Sequence, residues 1–204
     1  MINEEKRQLE ILSQNIMNEF HYEIDEIETW SQLKSKSILF DSQFCDWSFE
    51  TSTFVDHIMN KQKLAFLIVT ETGVKYGGFL YSKVKSYSYN EITNEMDGSV
   101  DPKSFVFTFK DYDPKKFNLK KEYKDKSTFY LNTDENCAEL FVFGPCGYHD
   151  IWVGKKDLLA FCCQNKQNSY YNFIGFKNAL TGISGEEYME NQFGIKRFVV
   201  IQFQ

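Results

Sequence analysis

The stretch that most constrains the fold is residues 64–81, Leu-Ala-Phe-Leu-Ile-Val-Thr-Glu-Thr-Gly-Val-Lys-Tyr-Gly-Gly-Phe-Leu-Tyr. Leu64 to Val69 form an apolar run rich in strand formers and too short to cross a membrane. Glu71-Thr72-Gly73 then signals a turn, and the second strand-like run is interrupted by Gly77-Gly78. The pattern predicts a hairpin with a buried first strand and a second strand that lacks side chains at its middle. A glycine pair inside a strand marks a bulge, or a backbone that another group approaches closely.

The rest of the chain supplies what such a hairpin needs to pack against. Of 204 residues, 17% are aromatic, with 20 Phe and 12 Tyr, which favours sheets packed by rings. The length suits one domain, or one domain plus an extension. A net charge of −6 sets long-range electrostatics against phosphate backbones and anionic lipid. Five cysteines, including Cys162-Cys163, read as reduced thiols of an intracellular protein. The N-terminus, Met-Ile-Asn-Glu-Glu-Lys-Arg, is charged and has no apolar core of a signal peptide. The expected location is the cytoplasm, with the nucleus as the other option, and no insertion into a membrane is expected.

Residues 2–33 carry a helical stripe, with Ile2, Leu9, Leu12, Ile16, Phe20, Ile24, Ile27 and Leu33 at steps of three, four or seven. One helix or two are expected, packed on the domain or on a second copy as a homodimer contact. From Ser37 strand patterns dominate. Ser37-Ile-Leu-Phe-Asp-Ser42 reads as a strand and Phe54 to Met59 as a short helix. Polar residues 82–100 read as a surface loop. Ser104 to Lys110 alternates, with Phe105, Phe107 and Phe109 on one face, as a half-buried strand does. Residues 110–126 form a basic loop, Thr128–Leu131, Ala138–Phe143 and Ile151–Val153 are further strand candidates, and Leu158–Cys163 is a strand or a buried segment. The last strand is expected to begin only after Phe193-Gly194 and to run from Arg197. The fold class that follows is α+β, mostly β: a two-sheet antiparallel β-sandwich with flanking short helices. A helical extension over residues 1–35 precedes the sandwich domain of residues 36–204.

The chemistry is sparse. The three histidines are His21, His57 and His149, and no nucleophile elbow, phosphate loop or dinucleotide fingerprint occurs. The expectation is a protein without enzymatic activity and without a cofactor. Cys146 and His149, with Cys137 upstream and Asp150 adjacent, are the candidates for a redox or metal site. Against that, a free cysteine most often behaves as a small hydrophobe. Loop 110–126 holds seven lysines together with Tyr112, Phe117 and Tyr123, which suits an acidic surface or nucleic acid. Its interspersed Asp111, Asp113, Glu122 and Asp125 suit a solvated loop instead.

Taken in order, these segments resemble the TLDc domain family over about residues 37–204. Ile38-Leu39-Phe40-Asp41-Ser42 and Cys45-Asp46-Trp47-Ser48 are similar to its opening strand and Gly-Trp-Ser segment, with Asp46 where glycine is usual. Tyr76-Gly77-Gly78-Phe79 resembles its aromatic-Gly-Gly-aromatic signature, and Ser104-Phe105-Val106-Phe107 its Ser-Phe-Leu-Phe strand. Phe143-Gly144 and Asp150-Ile151-Trp152-Val153 resemble its glycine turn and Asp-containing strand, and Tyr170, Leu180-Thr181-Gly182 and Phe193-Gly194-Ile195 fall in the order expected of its last third. The resemblance implies a β-sandwich without a known reaction, and a role in protection against oxidative stress. In several members it also implies binding and regulation of the proton-pumping V-type ATPase. Relative to that pattern, the chain closes on its last strand, without the C-terminal helix that some members use on the pump, and carries an N-terminal helical stretch. Trp47, Gly77, Gly78, Phe79, Phe105, Gly144, Asp150 and Gly194 are then structural signature residues.

Overall fold

Helix-forming sequence gives way to β-branched and aromatic residues near position 35, and the backbone changes with it. The computed structural model describes residues 2–90, 95–134, 136–145, 150–156, 161–163, 170, 180 and 193–204. Helices α1 (Ile2–Glu19) and α2 (His21–Ser31) come first, separated by a break at Phe20. There follow β1 (Ser35–Asp41), the single-turn α3 (Phe54–Ile58), β2 (Leu64–Thr70) and β3 (Lys75–Leu80). Next are β4 (Ser88–Asn90), β5 (Glu95–Asp97), β6 (Ser99–Val100), β7 (Phe105–Thr108) and β8 (Lys115–Asn118). The described chain continues with β9 (Ser127–Leu131), β10 (Glu139–Phe143), β11 (Ile151–Gly154), β12 (Phe161–Cys163) and β13 (Phe193–Phe203).

The protein is mostly β, built from two antiparallel sheets with a few helices, the class that the alternating patterns lead one to expect. One layer runs β1-β13-β2-β3-β7-β8, the other β6-β9-β10-β11-β12. Strand β13 joins them: Phe193 and Gly194 pair with β12, while Ile195 to Gln202 pair with β2 and the C-terminal half also with β1. The hairpin β2–β3 lies at the centre of the first layer, in register from Leu64 opposite Leu80 to Val69 opposite Lys75. Gly73 turns it with φ +85°, a left-handed conformation that a residue with a Cβ resists.

Alternation then decides which layer each side chain serves. Phe66 and Ile68 of β2 and Phe198 and Val200 of β13 face the second sheet, among Phe129, Phe141, Phe143, Ile151 and Val153. Ala65, Leu67 and Val69 of β2 and Val199, Ile201 and Phe203 of β13 face the other way, onto Ile16, Phe20, Ile24 and Ile27 of the helices. The molecule is thus three layers deep, helix on sheet on sheet, and β2 is buried on both faces. Each aromatic or aliphatic side chain removed from water in this way contributes ~1.5–3 kcal/mol. Helix α1 also covers the edge of β1, where the Ile38 amide donates to Ser13 Oγ at 3.3 Å. The apolar stripe that would suit a second copy is therefore occupied, at these four positions, by the chain's own sheet.

Several local expectations need correction. Residues 82–100 are not a loop throughout: they hold the β4–β5 ribbon and β6. One polar side chain there serves the backbone directly: Ser99, 1% exposed, accepts the Lys85 amide at its Oγ (3.0 Å). Strand β7 is buried on both faces rather than one, because the helical layer covers the face of Phe105 and Phe107. Loop 110–126 contains β8, which pairs with β7 from Thr108–Lys115 to Phe105–Asn118. Strand β13 begins at Phe193, not after Gly194.

Candidate functional site

The signature residues divide between the two cores. Trp47, 5% exposed, sets its ring edge-on to Phe198 at 5.1 Å, and its carbonyl accepts the Lys156 amide at 3.1 Å. The preceding Asp46 shapes this segment. Its carboxylate accepts from Thr51 Oγ1, from Ser48 N (3.0 Å) and from Ser48 Oγ (2.8 Å), and these bonds hold its carboxyl below the usual range. A side-chain cap thus stands where glycine was the expected residue.

The double glycine is a place of close approach. A Cβ at Gly77 would lie 1.7 Å from the Phe66 carbonyl oxygen, and one at Gly78 would lie 2.6 Å from the Phe143 ring. Phe143 comes from β10 in the second sheet, so the ring packs straight onto bare backbone across the sandwich. Phe79 lies on the opposite face, stacked on Phe105 with centroids 5.1 Å apart. Gly144 follows Phe143 at φ +117° and donates its amide to the Thr128 carbonyl (2.9 Å). Asp150, 2% exposed, donates its amide to the Phe143 carbonyl, also at 2.9 Å. A Cβ at Gly194 would meet the Glu71 carboxylate at 2.3 Å. Cys146 and His149 lie outside the described residues. Cys137 is half-buried, with its amide on the Asp134 carbonyl at 3.2 Å. Among the described residues no three His, Cys, Asp or Glu side chains group as metal ligands. His21 sets Nδ1 3.0 Å from the Asn18 carbonyl, and His57 lies edge-on to Phe40 at 5.5 Å.

Two polar networks were not foreseen in the sequence. In the first, Arg197 of β13, with 7% of its side chain exposed, clasps Asp41 of β1 through Nε (2.9 Å to Oδ1) and Nη2. Its Nη1 donates to both oxygens of Glu19 on α1 at 2.9 Å, and the guanidinium lies 5.2 Å from the Phe20 ring centroid. Lys75 of β3 reaches the same ring at 5.5 Å and pairs with buried Glu23 of α2 at 2.6 Å. The available signal was a charge of each sign placed inside apolar strands. In the second, Ser104 Oγ donates to the Asp101 carbonyl (2.8 Å) and lies 3.0 Å from the Tyr170 hydroxyl, which in turn donates to the Thr128 carbonyl (3.3 Å). Burial pushes the Tyr170 phenol far above its ordinary value, so it is a hydrogen-bonding group rather than an acid.

Outside the cores there are clefts and a basic strip. A cleft of ≈680 Å³ is lined by Met59, Asn60, Lys85, Asp97 and Val100, and is open and polar. A smaller one of ≈240 Å³ lies between Phe49, Ser52, Asn132, Asp134 and Lys155, with Lys155 Nζ donating to the Asp134 carbonyl at 3.0 Å. In the 110–126 segment, Lys116 is turned inward: its Nζ lies 4.5 Å from the Phe105 centroid and donates to the Trp30 carbonyl (3.1 Å). No family model matches the chain, and no curated protein matches it.

Two outcomes follow from these contacts. Gly78→Val forces a branched side chain into the Phe143 ring and lowers stability by ~1–3 kcal/mol, read as a lower melting temperature; an unchanged melt would contradict the packing described. Glu139, which accepts Trp152 Nε1 at 2.8 Å, has its carboxyl pushed up by burial, with the hydrogen bonds from Trp152 and Asn132 opposing. A carboxyl raised on folding stabilises the protein below its unfolded pKa, and that stabilisation is lost as pH rises through the folded value. Melts from pH 4 to pH 7 will therefore show wild type losing stability relative to Glu139→Gln as pH rises; a constant difference would contradict it.

Proposed function

We propose that this chain is a non-enzymatic protein-binding module of TLDc type that acts in the response to oxidative stress, in the cytoplasm or nucleus. The V-type proton ATPase is the partner that the resemblance nominates. The observation that supports this reading is the meeting, at one sandwich interface, of motif segments far apart in sequence. Phe143 of the Phe143-Gly144 pair lies on Gly78 of the double-glycine hairpin, and the Asp150 amide is bonded to the Phe143 carbonyl. Trp47 packs in the same core against Phe198. Motifs that build a scaffold leave function to the surface, which is how binding modules of many folds work. Among the described residues no helix is long and apolar enough to cross a membrane, in keeping with action from outside the bilayer.

A second reading, a nucleic-acid-binding or transcriptional regulator working through residues 110–126, draws on exposed Lys121 and Lys124 and on Tyr112. The net charge of −6 opposes it.

Affinity capture of the full chain from its native cells, with and without peroxide treatment, tests the first reading. Recovery of pump subunits, reduced when excess untagged protein competes, is the expected result. Capture that returns no pump subunit under either condition would remove the pump from the account.

A further inference from the structure

We propose that the strip running from the β7–β8 turn along β8 to the turn after it docks an extended acidic segment of another protein. The inference shares with the reading above only the premise that the chain works by binding, and stands or falls apart from the pump.

The strip begins with Tyr112, 94% exposed. Its backbone and that of Asp111 are both left-handed, at φ 57°. Two consecutive side-chain-bearing residues in this region are strained, and such a turn is tolerated only where the surroundings fix it. Here the β7–β8 ladder closes the turn on both sides, from the Thr108–Lys115 pair onward, and Pro114 restricts the return. The result is a large amphipathic ring held out into solvent on an ordered support, so little ordering entropy is lost when a partner covers it. Tyrosine is among the residues that dominate binding energy at protein interfaces.

Charge gives the strip its direction. Residues 110–126 hold seven lysines and four acids in a chain of net charge −6, so an acidic partner is drawn to this part of the surface and turned away from the rest. Lys110 and Lys115 are balanced by Asp111 (3.6 Å) and Asp113 (2.7 Å), and Lys116 is committed to Trp30 and Phe105. Lys121 and Lys124 are exposed and enter no ion pair among the described residues. Strand β8, the terminal strand of the sheet order, separates the ring from these two lysines and spans ~13 Å at the rise of an extended chain. An extended peptide matches that reach.

The test uses the full chain and two fluorescein-labelled probes, an oligoglutamate peptide and a single-stranded oligonucleotide of equal charge, read by anisotropy at low and physiological salt. Wild type is expected to bind the peptide more tightly than the oligonucleotide. Lys121→Glu/Lys124→Glu should weaken peptide binding about ten-fold, and Tyr112→Ala several-fold. Lys36→Glu/Lys61→Glu, an equal charge change at exposed sites elsewhere, should leave it within about two-fold. Melting curves confirm that each variant folds. The proposal is overturned if the peptide does not bind, if the distant pair of reversals weakens binding as much as the local pair, or if the oligonucleotide binds more tightly.

Discussion

Arg197 lies on β13, the strand that both sheets share, and its guanidinium is bonded at once to Asp41 on β1 and Glu19 on α1 while lying over the Phe20 ring. Desolvating such charges costs several kcal/mol per ion, and their attraction offsets this only when the geometry is good and the remaining donors are satisfied. Both conditions depend on the helical layer being in register with the sheet. Glu19 reaches the guanidinium only if α1 ends where it does, and Phe20 covers it only at the break between α1 and α2. Lys75 and Glu23 fix α2 in the same way, one strand pair further along. The apolar contacts of Ile16, Ile24 and Ile27 are non-directional and supply stability. The ion pairs admit one placement of the helices.

The same layer explains where the sequence could and could not be read. Leu64 to Val69 announced a strand buried on both faces, and it is one, because no alternation of polar residues interrupts it. Phe105, Phe107 and Phe109 alternate with less apolar neighbours and so imitate a half-exposed strand; that one face is roofed by helices is a tertiary fact. Polar residues 82–100 imitate a loop because a polar side chain can serve a strand as well as a turn, as the Ser99 hydroxyl does in accepting the Lys85 amide. Lys115 to Asn118 imitate a solvated loop because Lys116 turns inward, its ammonium set over the Phe105 ring and donating to the Trp30 carbonyl. Arg197 and Asp41 each show in the sequence only as a charge inside an apolar strand, and nothing local pairs them, since they meet across 156 residues of chain.

The candidate site was legible in a narrower sense. Gly77, Gly78, Trp47 and Gly144 could be picked out as positions where side-chain size or backbone freedom is restricted: Gly77 and Gly78 lie against Phe66 and Phe143, Trp47 against Phe198, and Gly144 has φ +117°. What they build is a scaffold, so their legibility says little about activity. The surface features that bear on binding are read from exposure and backbone conformation. Tyr112 stands with Phe117 and Tyr123 among the aromatics of the basic segment, and only the folded chain shows that it is the one held out at 94% exposure.

The central claim is that helices α1 and α2 are a constitutive third layer of the domain, locked by Arg197 and Lys75. Native-state hydrogen exchange across a denaturant series tests it most directly, because it resolves the opening free energy of each element. The account predicts that amides of α2 around Ile24 and Ile27 converge on the same opening free energy as those of β2 around Leu67. Helical amides that exchange through a separate, lower-energy opening while β2 and β13 stay protected would contradict it.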